Sequence, residues 1–420
     1  MRFFSAPHVI LLVVCAMLCM ACSDDDEKVN LYVYDGVENE LPTYTGLPIV
    51  DIRTEDGLAL YDKETWKKAT ITFYGNGQYE DFTDEVYIKG RGNSTFKKPK
   101  TPFNLKFDNK RSWLGMKKSK HWAFLANYFD PTLMRNDLTF HLGKLANHIE
   151  WTPSGEFVEL MFNGHHVGNY YVTERVKVEN GRLNLKEIKD EDADILTGGY
   201  VIEVDKWYDE VNKFKTNINQ WPVGIKSPDE EWCTADHVAY ISTFMNTWEE
   251  NLQKHRFGEV HEQMDMASFV DYYLIQVFCG NSDFDQERSV YCYKKRDGKI
   301  YAGPLWDFDF DTYIQPEGRF HREILWYKYL FKDPLFVAML KERWEELKEP
   351  LCQEALSCIE QREKTLVASA AVNFRIFPFS SKNKGGKVDE KKMKWAEAVA
   401  AMKAYILLRK ENIDTFINKL

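Results

Sequence analysis

The chain has no excess of positive charge. Lys and Arg number 55 against 65 Asp and Glu, a net charge of −10. That balance weighs against a nucleic-acid partner, which calls for a basic face. Past the leader there is no C-x-x-C pair, so neither a zinc site nor a disulfide framework is indicated in the body of the chain. Cys233, Cys279, Cys292, Cys352 and Cys358 lie in the body of the chain, an odd set with room for a bridge in an oxidising compartment. A G-x-x-x-x-G-K-[ST] phosphate loop is missing, as is any internal repeat. What is present is a hydrophobic content of 44% over 420 residues, ordinary for one large globular domain or two smaller ones and far from disorder.

The N-terminus "MRFFSAPHVILLVVCAMLCMAC" places Arg2 before an apolar run from Val9 to Ala21. It has the layout of a secretory leader and is too short and one-sided for a membrane span. Ala21-Cys22 resembles a relaxed bacterial lipobox, and "SDDDE" after it resembles the export signal of Bacteroidetes-type lipoproteins. The expectation is a leader over 1–21, lipidation at Cys22, an acidic tether over 22–45 and attachment to a membrane through lipid. An ordinary cleaved leader is the plainer reading.

β-branched runs at 47–54 and 68–75 predict strands, and 84–108 predicts strand, glycine loop, strand. A helix is expected from about "DPTLMRN", with Asp130 as N-cap and Pro131 at the first helical position. Asn163-Gly164 predicts a hairpin over 157–176. A strand at 198–205, helices at 234–254 and 261–279, and a mostly helical remainder follow. "SSKNKGGK" (380–387) is expected to be an exposed loop. Strands first and helices last indicate an α+β class with a ligand cleft between a β-rich part and a helical part.

Two acidic stretches stand out. "LWDFDFDTY" (305–313) alternates Asp307, Asp309 and Asp311 with Phe308 and Phe310, and in an extended chain the acids would share one face. "NSDFDQE" (281–287) carries Asp283 and Asp285. Asp297-Gly298 predicts a two-residue hairpin turn, pairing Tyr293 with Ala302 and folding the two stretches together. Carboxylates so gathered repel unless one takes a proton or a cation joins them. Mg²⁺ suits oxygen ligands beside phosphates. Same-face strand neighbours lie about 6.6 Å apart, so one of Asp307 and Asp309 is expected to bind the ion directly. The other then acts through water, a second ion or an Arg. Acids merely solvated at a strand end are the plain alternative.

Upstream, "KGRGNSTFKKPKTPFNLKF" (89–107) offers Gly90 and Gly92 for close backbone approach. Asn93, Ser94 and Thr95 add donors, and the loop's N–H groups can form an anion nest. Lys106 and Asn104 alternate with Phe103, Leu105 and Phe107, which sets Lys106 to reach phosphate. A strand-connecting turn and a solvated lysine would look the same singly. Loop, lysine and acid hairpin together favour phosphate.

These stretches, with "LANYFDPTLMRNDLTFHLG" (125–143), "FVELMFNGHHVGNYYVTERVKV" (157–178), "GGYVIEVD" (198–205) and "GPLWDFDFD" (303–311), resemble the CotH kinase family of spore coat protein H relatives over about 47–315. The resemblance implies a bilobal protein-kinase-like fold, with a β-rich lobe over about 46–175 and a helical lobe over about 176–420. It implies transfer of the ATP γ-phosphate to Ser or Thr of a protein, with Mg²⁺ or Mn²⁺, and the lipoprotein signal adds the expectation of an envelope or secreted acceptor and of a chain anchored in the outer membrane and exposed at the cell surface. By residue it implies Asp283 as the catalytic acid and Asp307 and Asp309 at the metal. Arg91, Gly92, Asn93 and Ser94 would lie over the phosphates, Lys106 would meet the nucleotide, and Glu174 is a further cleft candidate. Arg288 stands where a protein kinase has a metal-binding Asn, and Asp285 is a substitute. Lys89 replaces the first Arg of the loop, and Thr312-Tyr313 replaces a small residue and Gly. A surface protein that binds a glycan or protein without catalysis is the alternative.

Overall fold

The structure, a computed structural model, describes residues 32–189, 192, 194–378 and 394–420. The leader, Cys22, the acidic run behind it and the "SSKNKGGK" stretch lie outside the described residues.

Seven strands form a closed barrel: β1 (Ile49–Thr54), β2 (Lys67–Tyr74), β3 (Phe82–Gly90), β4 (Phe103–Trp113), β5 (Met116–Leu125), β6 (Gly155–Phe162) and β7 (His165–Glu174). Their order is β1-β2-β3-β4-β5-β7-β6. Closure comes from β1 pairing parallel with β6, Ile49 opposite Glu159. Alternate side chains fill the interior, Phe103, Leu105 and Phe107 of β4 among them, packed with Trp122, Phe124 and Tyr170. The β6–β7 hairpin turns at Asn163 and Gly164, both at positive φ, as the sequence predicts. Tyr32 is buried and its hydroxyl meets that of Tyr170 at 2.6 Å. The segment from Tyr32 onward therefore runs against the barrel.

A second, antiparallel sheet has the order β12-β11-β8-β10-β9. Its strands are β8 (Tyr200–Val204), β9 (Lys213–Lys215), β10 (Pro222–Ser227), β11 (Val290–Lys294) and β12 (Ile300–Ala302). The helices are α1 (Arg135–Leu145), α2 (Ala235–Gln253), α3 (Phe257–Gln263), α4 (Met266–Cys279), α5 (Ser282–Asp285), α6 (Tyr327–Leu330), α7 (Pro334–Ile376) and α8 (Trp395–Ile417). Local chemistry sets several starts. Asp265 accepts the Ser268 N–H at α4, and Asp333 accepts that of Leu335 at α7, with Pro334 at the first position.

The α+β class holds. The bilobal protein-kinase-like architecture does not. The parallel β1–β6 pairing leaves the first seven strands without an edge, as a filled barrel. The part expected to be a helical lobe carries a five-stranded sheet of its own. Two local expectations also change. Helix α1 starts at Arg135, not Pro131, because the Asp130 carboxylate caps a turn, accepting the N–H groups of Thr132 (2.7 Å) and Arg135 (2.8 Å). The β11–β12 hairpin pairs Tyr293 with Tyr301, one residue off the expected register. Lys295 donates its N–H to Lys299 O at 3.1 Å, leaving a three-residue loop with Asp297 at φ +51°. All five body cysteines are free thiols.

Candidate active site

One cleft of about 1070 Å³ gathers the glycine loop after β3, the end of β7, the second sheet and the two acidic stretches. Arg91, Gly92, Asn93 and Ser94 line one part, and Asp283, Asp307 and Asp309 another. Lys106 and Glu174 are not in the lining. Lys106 sits over the rings of Trp66 and Tyr87, 5.8 and 5.9 Å from their centres. Glu174 turns into the protein, where it accepts the Ser154 N–H at 3.0 Å and faces Arg182 at 3.6 Å.

The acid loop is not extended. Asp307 takes φ +67° and Asp311 φ +49°, so the alternation of faces breaks, and Asp309 and Asp311 are both buried. Aspartate tolerates this left-handed region better than most residues. The loop is gripped by the segment before and within α1. Asn136 Oδ1 accepts the Phe308 N–H at 2.8 Å, and Arg135 Nη1 donates to Asp309 O at 3.2 Å. Phe129 meets Phe310 edge-on at 5.5 Å. Ser289 Oγ donates to Asp307 Oδ2 at 3.2 Å. Asp311 is turned away, paired with Arg319 at 2.6 Å.

Asp283 lies in the single turn α5, capped by Asn281, whose Oδ1 accepts the Asp283 N–H at 3.0 Å. Burial, then the nearby Asp307 charge, push its carboxyl up to about 7 against the pull of Arg288. Asp309 is held well above the ordinary range, first by burial and then by Asp307. Asp205, at the end of β8, is pushed up to about 7 by burial and by Glu203. Asp285 faces buried His321 Nδ1 at 2.6 Å, so it is engaged away from Asp283.

In the glycine loop, Gly92 has φ +80°, and a Cβ there would meet Thr95 Oγ1 at 2.4 Å. Gly90 admits no Cβ either, since Phe96 would lie 2.1 Å from it. Asn93 Oδ1 accepts Lys63 Nζ at 2.6 Å. Arg91 rests over the Trp306 ring at 5.0 Å. Arg175, which sequence reasoning missed, also lines the cleft. Burial and then Arg91 lower its guanidinium to about 10. Two mutually repelling cations in one cleft lining suit an anion with several charges. The only hint in the sequence was an Arg directly after a strand-end Glu.

Asp283, Asp307 and Asp309 line one part of the cleft, and their oxygens suit a hard divalent cation by donor type, because a cation would offset the burial and repulsion that raise the proton affinity of Asp283 and Asp309. A second cluster does not fit one. Asp137, His141 and Cys358 bring ligand atoms within 4.8 Å of one another. Both oxygens of Asp137 are already taken, by Arg362 at 2.7 and 3.0 Å and by the Tyr171 hydroxyl at 3.0 Å.

The raised carboxyl of Asp283 carries a stability consequence. Between about pH 4 and 7 the folded chain keeps a proton that the unfolded chain has released, so stability falls as pH rises through that window. In chelator the melting temperature should drop from about pH 5 to pH 7.5, as this site gives up stability on the order of 1–4 kcal/mol. Asp283→Asn should flatten the drop. Equal slopes for the two proteins would refute the assignment.

The sequence model of one protein family, described as CotH kinase protein, matches residues 88–413. No curated protein matches the chain.

Proposed function

The chain belongs to the CotH kinase protein family, and on that premise we propose that it is a phosphotransferase moving the γ-phosphate of ATP to a Ser or Thr hydroxyl of a protein. The observation that carries this reading is that Asp283, Asp307 and Asp309, from segments over 20 residues apart, line one cleft with Arg91 and the glycine loop. Asp307 and Asp309 would hold Mg²⁺ or Mn²⁺, which when bound supplies charge neutralisation at the phosphate oxygens. Arg91 and Arg175 face the remaining phosphate charge, and loop N–H groups around Gly92 orient it. Asp283, poised near neutrality, accepts the hydroxyl proton as the hydroxyl oxygen bonds to the γ-phosphorus. The bond from phosphorus to the bridging β–γ oxygen breaks, and ADP leaves. Trp306 keeps Arg91 in place from below.

The acceptor is read as an envelope or secreted protein. Cys22 and the acidic run would carry the lipid anchor and surface address. Among the described residues no helix is long and apolar enough to cross a membrane. One contact favours binding without transfer: Arg288 Nη1 lies 3.4 Å from Asp283 Oδ1, which opposes Asp283 as a base.

The deciding experiment incubates the full chain with γ-labelled ATP and Mg²⁺ and counts label on the chain itself and on added envelope protein. Label is expected with Mg²⁺, lost in chelator and lost in Asp283→Ala. A thermal shift with Mg-ATP but no label in any condition would support the binding reading instead.

A further inference from the structure

We infer that Arg288 stands in for a second metal ion, so that the cleft takes up one divalent cation with the nucleotide. The inference rests on the phosphotransfer reading and adds a stoichiometry to it. Protein kinases hold two ions, the second through an Asn of the catalytic loop. Here the residue five after Asp283 is Arg288. A guanidinium has donors only and no lone pair to offer a metal, and it keeps its charge at any working pH. It is also fixed where it matters. Its Nη1 lies 3.4 Å from Asp283 Oδ1, its backbone N–H donates to Asp283 O at 3.0 Å, and its Cζ lies 5.7 Å from the Trp207 ring centre.

A dication on Asp283 would therefore sit beside a permanent positive charge whose Nη1 already lies 3.4 Å from that carboxylate. The nearest substitute ligand, Asp285, is held by His321. Asp307 and Asp309 remain for one ion.

The test counts Mn²⁺ per bound molecule of a non-hydrolysable ATP analogue by equilibrium dialysis of the full chain. The expected ratio is one for the unaltered protein and for Arg288→Lys, which keeps the charge. It is two for Arg288→Asn, which exchanges the charge for an oxygen ligand. Arg288→Gln serves if the Asn variant melts early. A ratio of two in the unaltered protein overturns the inference while leaving phosphotransfer standing, and so does a ratio of one in a folded Asn or Gln variant. No analogue bound at all would sink the phosphotransfer reading, and this inference with it.

Discussion

Asp307→Ala is expected to cut phosphotransfer about 10²–10³-fold, the usual loss when one fixed electrostatic group is removed from a reaction centre. The fold should survive it. After burial, Asp307 is the largest cause of the raised proton affinity at both Asp283 and Asp309, so its removal relieves repulsion in the metal-free protein. Against that, Ser289 Oγ loses its acceptor, a cost of about 1 kcal/mol. The two nearly offset. The variant should melt within a few degrees of the unaltered protein while losing label transfer from γ-labelled ATP. It should also lose most of the stabilisation that Mg²⁺ and ATP together give. A catalytically silent Asp307→Ala, with unchanged label, would take Asp307 out of the site. A variant that fails to fold would show instead that the acid loop is held by this carboxylate and not by Asn136 and Arg135.

The acids themselves were legible because aspartates seldom cluster beside buried aromatics, and the hairpin letters Asp297-Gly298 showed that the two acidic stretches fold together. The pairing of Tyr293 with Tyr301 was not legible, because those letters fix where the chain turns but not how many residues the turn holds. The strict alternation of "WDFDFD" set the acids on one face of an extended chain. Positive φ at Asp307 and Asp311 undid it, imposed from outside by Asn136 and Arg135, which are over 160 residues away in sequence. Barrel closure was hidden for a related reason. The contact that makes it, β1 against β6, joins segments about 100 residues apart and leaves no local periodicity to read. Lys106 shows the converse failure. The outward face of β4 was assigned correctly, yet that face splits between the cleft, which Asn104 lines, and the rings of Trp66 and Tyr87, where Lys106 goes. Alternation along a strand gives a side, not a neighbour.

The grip on the acid loop depends in turn on helix α1, and the largest stability effect is expected there. Asp137 of α1 is fully buried and holds Arg362 of α7 by two hydrogen bonds, Nε at 2.7 Å and Nη2 at 3.0 Å. Arg362 also reaches Glu156 of β6 at 2.9 Å, and Tyr171 of β7 donates its hydroxyl to Asp137 at 3.0 Å. Barrel, α1 and the long α7 thus meet at one buried charge. Arg362→Met leaves the Asp137 carboxylate buried beside Tyr171 without its counter-charge, and breaking such a pair from one side costs about 3–5 kcal/mol. Asp137→Asn combined with Arg362→Met removes both charges and should recover much of that loss, because the penalty belongs to the orphaned carboxylate and not to the missing contact. Denaturant melts of the two single variants and the double variant measure the coupling. If the losses simply add, the pair is not the joint. If they do not, label transfer should follow the melts: Arg362→Met should lose activity at temperatures where the unaltered chain keeps it, since a displaced α1 releases Asn136 from Phe308 and lets Asp307 and Asp309 drift apart.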